Sequence, residues 1–262
     1  MSRTITESDW LWSRRIPRGG LIYMIGECGS GKSILTLDIA ARVSSGRPWP
    51  DGARCLTGQV LLLTREDDLG SVIRPRLEAM GANIHAITLI QDVICCQTNE
   101  QRGITLADTD AIERAVRTIG DVRLVVVDPI YDFVPPDVDV HTAHDLGDVL
   151  KPIDSLAKRH KLTVLITCYM PHFSMAGWSL AECNLNRVNQ RERRPRGANA
   201  QRHLFFMSRY RHLLIDESPL FFNIVGDPAR IEWVNRPRRT TSWPRQTYLG
   251  PAWSEGLFDS GD

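Results

Sequence analysis

The chain has 262 residues, of which 42% are hydrophobic, and its 32 Lys and Arg residues nearly balance its 31 Asp and Glu residues. This length and composition can bury one large core, so we expect one main domain, and the balanced charge excludes a general attraction to polyanions. No apolar stretch approaches the roughly 18 residues of a membrane span, and the N-terminus lacks the apolar centre of a signal peptide, so the sequence predicts a cytoplasmic protein without a membrane partner.

The first predicted elements enclose a glycine-rich loop. Residues 21–25 form an apolar run typical of a buried strand, and residues 34–41 show helical periodicity. The eight residues between them match G-x-x-x-x-G-K-[ST], the pattern of a phosphate loop. They are Gly26, Glu27, Cys28, Gly29, Ser30, Gly31, Lys32 and Ser33.

This motif predicts a nucleoside triphosphate site. Glycines let backbone N–H groups turn inward and surround phosphate oxygens at a helix N-terminus. We expect Lys32 to reach the β- and γ-phosphates, and the Ser33 hydroxyl to coordinate Mg²⁺.

A second apolar strand, predicted over residues 60–64, ends in a cluster of charge, Arg65-Glu66-Asp67-Asp68. A carboxylate just beyond a strand that neighbours the nucleotide strands can orient and deprotonate the water that attacks the γ-phosphate. By position, Glu66 is the candidate for this catalytic base. Asp67 and Asp68 are the competing candidates, and a solvated acidic turn is the structural alternative.

The next elements lead to another informative carboxylate. They are a helix over 72–80, a strand over 86–90 and a helix over 107–119. Residues 124–128 then form an apolar strand that ends in Asp128, which is the form of a Walker B segment. An ionised group there needs a partner, and Mg²⁺ beside Ser33 would supply one, so we assign Asp128 to the metal; capping of the next turn is the alternative.

Strand and helix patterns continue to alternate, with a helix expected over 143–160 and a strand over 162–167. This alternation predicts an α/β fold with a mostly parallel sheet flanked by helices. In such a sheet the nucleotide binds at the carboxyl ends of the strands.

Several segments besides the phosphate loop share the pattern of one protein family. They are WLWSRRIPRGG at 10–20, LDIAARV at 37–43, PWPDG at 48–52, EDD at 66–68 and RPRLE at 74–78. Together they resemble the RecA-like AAA-type ATPases related to RepA, the plasmid replicative helicase, which recur in prophages and mobile elements. The resemblance covers about residues 10–167 and returns at 222–233.

The resemblance implies a RecA-like P-loop fold, ATP hydrolysis with Mg²⁺, and assembly into a homo-oligomeric ring. It supports Glu66 as the base and Asp128 as the Walker B acid. The expected organisation is a lead-in over 1–20, an ATPase domain over 21–235 that is atypical at 168–215, and a disordered tail over 236–262.

The atypical segment contains the residues expected to act beyond one subunit. Where the family shows a strand ending in a His-x-Asn-Lys sensor, this chain has CYMPHF at 168–173. Arg209 and Arg211 follow a late apolar strand, where the resemblance places the basic residues that a neighbouring subunit contributes to catalysis; Arg202 is a second candidate.

Residues 187–202 are strongly basic, which favours contact with nucleic acid phosphates, single-stranded DNA in particular; a solvated loop is the alternative. The leading functional prediction is therefore an ATPase that moves or remodels nucleic acid in DNA replication or repair. A nucleotide-gated binding module with little turnover is the second, and a small-molecule kinase is a weaker third.

Overall fold

The computed structural model describes residues 9–65, 67–94, 98–139, 143–169, 184–190, 202–207 and 220–234. The strands are β1 (Trp10–Trp12), β2 (Ile16–Pro17), β3 (Gly20–Gly26), β4 (Gln59–Thr64), β5 (Ile87–Leu89), β6 (Asp92–Ile94), β7 (Gln101–Gly103), β8 (Val122–Asp128), β9 (Thr163–Tyr169), β10 (Asn184–Gln190), β11 (Arg202–Met207), β12 (Leu220–Val225) and β13 (Arg230–Val234). The helices are α1 (Lys32–Ser45), α2 (Arg74–Ala79), α3 (Thr109–Ile119) and α4 (Ala143–His160).

A nine-stranded sheet with the order β13-β12-β11-β10-β3-β9-β8-β4-β5 forms the centre of the fold. The six strands from β10 to β5 run parallel, and β11, β12 and β13 add to them in antiparallel fashion. This confirms the α/β fold with a mostly parallel sheet. None of the helices within the described residues is long and apolar enough to cross a membrane.

Alternate residues of the central strands face two separate hydrophobic layers. In β3, Ile22 and Met24 pack on the side of α1 and α2, whereas Tyr23 and Ile25 pack on the side of α3 and α4. Because both faces of the sheet are buried, the central strands contain few polar residues. This explains why they form continuous apolar runs in the sequence.

The strand order places β9 between β3, which leads into the phosphate loop, and β8, which ends in Asp128. The sequence predicted that the strand ahead of Glu66 would neighbour the nucleotide strands. That strand, β4, pairs with β8 in parallel, and the strands β9 and β8 separate it from β3. The prediction therefore holds for β8 and not for β3.

The helices and central strands predicted from the sequence are present within a few residues of their expected ends. Two short antiparallel hairpins, β1–β2 and β6–β7, were not predicted. Their strands have two or three residues each, too few to establish a period of alternation. Most of the segment 168–215 and all of the tail 236–262 lie outside the described residues.

The β12–β13 hairpin is bound to helix α1 through a buried carboxylate. Asp38 is fully buried, and its two oxygens pair with Arg42 Nε at 2.8 Å and with Arg47 Nη2 at 3.0 Å. Trp233 in β13 donates from Nε1 to Asp38 Oδ2 at 2.8 Å. Since a buried carboxylate requires partners, residues far apart in the sequence are held at one point.

Aromatic packing extends this contact. The rings of Trp12 and Trp49 stack with centroids 4.4 Å apart, and Trp233 meets Trp12 edge-on at 6.1 Å. Asp51 accepts hydrogen bonds from Trp12 Nε1 and Arg15 Nε, both at 2.9 Å. Segments around 10–20, 37–43, 48–52 and 222–233, which carry much of the family resemblance, therefore meet in one tryptophan cluster.

Replacing Trp233 with phenylalanine should destabilise the protein, because one oxygen of the buried Asp38 carboxylate loses its indole donor. We expect the free energy of unfolding to fall by about 1–3 kcal/mol, measured by urea denaturation. Combined with Asp38→Asn in a double-mutant cycle, the two changes should be coupled by about 0.5 kcal/mol or more. Strictly additive effects would contradict the contact.

Candidate nucleotide site

The phosphate loop connects the end of β3 to the start of α1. Gly29 and Gly31 have φ angles of 73° and 96°, in the left-handed region that residues with a side chain rarely adopt. Gly31 directly precedes the first helical residue, and the first turn of α1 contains no acidic side chain. The helix N-terminus thus presents backbone N–H groups and a partial positive charge, the arrangement that binds phosphate.

Lys32 lies within this loop. Its Nζ donates to the carbonyl oxygens of Gly26 at 3.0 Å and Glu27 at 2.9 Å, and the residue is only 6% exposed. The ammonium is therefore held beside the loop backbone at the helix N-terminus. The loop places a positive charge where the motif expects phosphate oxygens.

The Ser30 hydroxyl provides an independent indication of a polar ligand. Ser30 is 1% exposed, and its Oγ is the single buried side-chain N or O atom among the described residues that has no hydrogen-bond partner. Buried polar groups are nearly always satisfied, so an exception requires a physical reason, such as a bound ion or a catalytic role. A phosphate oxygen in the loop would satisfy this hydroxyl.

Asp128 closes the site from the sheet. It is 5% exposed, and its carboxylate accepts hydrogen bonds from Ser33 Oγ at 3.2 Å, from Thr36 Oγ1 at 3.3 Å and from Thr167 Oγ1. Thr36 lies on α1 and Thr167 on the intervening strand β9. The structure thus brings together Ser33 and Asp128, the two residues that the sequence assigned to Mg²⁺.

The two threonines were missed by sequence reasoning. Thr36 follows Ser33 by three residues, so its place on the same face of the helix was a usable signal. Thr167 carried no such signal, because only the sheet order places β9 beside Asp128. Both hydroxyls help to satisfy a carboxylate that is shielded from water.

The donor set fits Mg²⁺. Mg²⁺ prefers oxygen ligands, and it commonly binds through one or two protein oxygens together with substrate phosphates and water. Ser33 and Asp128 supply one hydroxyl and one carboxylate. Elsewhere in the described ranges, no group of three or more His, Cys, Asp or Glu side chains could hold a metal ion.

The structure describes part of the acidic turn after β4. Glu66 lies outside the described residues. Asp67 pairs with Arg76 Nη1 at 2.5 Å, and Asp68 caps the following helical turn by accepting from Ser71 N at 2.7 Å and Ser71 Oγ at 2.6 Å. These hydrogen bonds lower the pKa of Asp68. Both competing carboxylates therefore have structural partners.

The described residues include one of the three arginines expected to act across a subunit boundary. Arg209 and Arg211 lie outside the described residues, and Arg202 is the first residue of β11. Of the predicted site residues, the structure thus brings together the phosphate loop and Asp128. It does not place Glu66 or the two arginines.

A parallel sheet with a phosphate loop at its carboxyl edge, a buried lysine, and a serine–aspartate pair defines a P-loop, nucleotide-binding ATPase. A protein-family model described as an AAA domain matches residues 1–173, more than half of the chain. The chain belongs to this AAA-domain family. A search of curated proteins gave no match.

Lys32→Ala should weaken ATP binding, because it removes the positive charge held inside the loop. We expect the affinity for a fluorescent ATP analogue to fall by about tenfold or more, measured by anisotropy. Lys151→Ala, which removes an exposed lysine paired with Asp148 on α4, is the matched control and should bind normally. Equal affinity of the Lys32 variant and the wild type would refute the assignment of the loop.

Proposed function

We propose that the protein is a Mg²⁺-dependent ATP hydrolase of the RecA-like type related to RepA, which couples hydrolysis to movement or remodelling of nucleic acid. The meeting of Ser33 and Asp128 at the N-terminus of α1 carries the hydrolase part of this proposal. It is the arrangement that a magnesium–nucleotide complex requires.

Each residue of the site has a distinct task in this proposal. The N–H groups of the loop and the Lys32 ammonium bind the phosphates and orient the terminal one. Ser33 and Asp128 would hold Mg²⁺, which supplies charge neutralisation for the transferred phosphoryl group. Thr36 from α1 and Thr167 from β9 fix the orientation of the Asp128 carboxylate.

Glu66 is proposed as the general base that takes a proton from the attacking water. Its two competitors support this choice: Asp67 is paired with Arg76, and Asp68 caps a helical turn. A carboxylate that already makes an ion pair or capping hydrogen bonds is a poor proton acceptor, because protonation would weaken those contacts.

The nucleic-acid part of the proposal is supported by the sequence. The resemblance to RepA-related proteins and the six arginines within 187–202 favour a strand of DNA, single-stranded in particular, as the partner. The same resemblance favours a homo-oligomeric ring with Arg209 or Arg211 completing a neighbour's site. The contact between Trp233 and Asp38 supports an ATPase domain that extends to about residue 235.

A nucleotide-gated binding module is the second candidate. The sequence at 168–173 departs from the His-x-Asn-Lys sensor expected after the strand that lies between β3 and β8. Tight ATP binding with negligible turnover would select this candidate. A turnover rate that increases with single-stranded DNA would select the ATP-driven one.

Glu66→Gln should cut kcat by about 10²-fold or more while ATP still binds, because glutamine keeps the shape of the side chain but cannot accept the proton. Steady-state phosphate release measures kcat, and anisotropy measures binding. Glu78→Gln is the matched control, since it makes the same change at an exposed glutamate that pairs with Arg74 on α2. If Asp67→Asn is the inactive variant and Glu66→Gln is active, the base is Asp67.

The ring is tested by mixing two inactive proteins. Arg209→Ala or Arg211→Ala should lose hydrolysis, on the order of 10³-fold, with ATP binding intact, if the arginine neutralises charge at a neighbour's γ-phosphoryl group. Mixed with Glu66→Gln, it should regain activity at boundaries that join an intact base to an intact arginine. We would measure ATPase rate with and without single-stranded DNA, and mass by light scattering. A monomer, or a mixture without rescue, would contradict the ring.

A further inference from the structure

Arg65, the residue directly before Glu66, joins three loops at the carboxyl edge of the sheet. Its Nη2 donates to the carbonyl oxygens of Gln91 at 3.0 Å and Ile104 at 2.8 Å, and its Nη1 donates to the carbonyl oxygen of Asp132. These acceptors follow β5, β7 and β8, respectively. One side chain at the end of β4 therefore links the loops that follow three other strands.

The surroundings of the guanidinium fit this role closely. The Arg65 guanidinium carbon lies 4.6 Å from the centroid of the Phe133 ring, which is fully buried. A Cβ atom added to Gly103 would stand 2.5 Å from Arg65 Nη2, so a side chain at this position would push the guanidinium out of its place. The side-chain amide of Gln91 in turn donates to the carbonyl oxygen of Thr64, the residue before Arg65, at 3.4 Å.

The Arg65 contacts hold the chain on one side of Glu66, and two further contacts hold it on the other. Asp67 is paired with Arg76, and Asp68 caps the next turn. Glu66 is thus the residue between two anchored neighbours. Fixing the backbone on both sides restricts where a side chain can reach, and a displacement of about 1 Å in a reacting group can cost about 10²-fold in rate.

We propose that Arg65 is a positioning residue for the proposed catalytic base: its bonds to Gln91, Ile104 and Asp132 fix the end of β4, the strand from which the chain continues directly into Glu66. This inference rests on the proposed function. The planar guanidinium suits this role because its several N–H groups can donate to several fixed carbonyl oxygens at once. A lysine ammonium is a single compact point charge and cannot span the same acceptors.

The test compares Arg65→Ala and Arg65→Lys with the wild type in kcat, in KM for ATP and in affinity for a non-hydrolysable analogue. We expect both variants to lose about 10–100-fold in kcat, with KM and affinity changed less than about twofold. Gly103→Ala, which pushes against the guanidinium without altering it, should reduce kcat in the same direction.

Arg123→Ala is the matched control. Arg123 also donates to a loop carbonyl, that of Thr57 at 2.8 Å, and pairs with Asp121 at 3.0 Å, but it lies near the amino end of β8. This variant should keep its kcat. Hydrogen exchange of a peptide covering residues 60–70 provides a readout that needs no turnover, and it should be faster in Arg65→Ala than in Arg123→Ala.

The outcomes separate this inference from the function it rests on. If Glu66→Gln is inactive and Arg65→Ala keeps its kcat or its exchange rate, the positioning role is refuted and the proposed base stands. Arg65 is instead a phosphate-binding charge if two results occur together. Arg65→Lys would keep the wild-type kcat, and Arg65→Ala would lose affinity for ATP, relative to the wild type, much more than for ADP. If the wild type does not hydrolyse ATP, the proposed function fails. Independently of turnover, an unchanged hydrogen-exchange rate of residues 60–70 in Arg65→Ala would refute the anchoring of β4 by Arg65.

Discussion

The buried carboxylate of Asp128 fixes how helix α1 lies against the sheet. It sits at the end of β8 with almost no contact with water, so its negative charge must be balanced by hydrogen bonds from nearby groups. Ser33 and Thr36 supply them from α1, and Thr167 supplies another from β9. Since α1 begins where the phosphate loop ends, this contact also sets the position of the loop above the strand ends.

A second buried carboxylate holds the same helix farther along. Asp38 joins α1 to Arg42, to Arg47 and to Trp233 of the last described hairpin. The tryptophans of the segments that carry the family resemblance belong to the packing around this point, where Trp12 stacks on Trp49 and meets Trp233 edge-on. They build the frame of the domain, whereas the loop and the strand ends contain the groups suited to chemistry.

At the carboxyl edge of the sheet, several charged side chains of one turn are engaged in structural contacts. Asp67 and Asp68 look like candidates for catalysis in the sequence, yet each is engaged in holding the turn after β4. Arg65 holds the same turn from the other side through backbone carbonyls of three loops. A cluster of charged residues in a sequence can therefore contain side chains that hold the local structure, so it cannot be assigned to catalysis as a whole.

The sequence by itself determined the fold class, the central strands and helices, and the phosphate loop, because these depend on local periodicity and on one contiguous motif. It also indicated Asp128 through the polarity change at the end of β8. Only the tertiary structure decided that Thr167 reaches Asp128, that Trp233 binds Asp38, and that Arg65 joins three loops. Each of these contacts joins residues at least 26 positions apart, and a pairing between distant residues leaves no local pattern in one sequence.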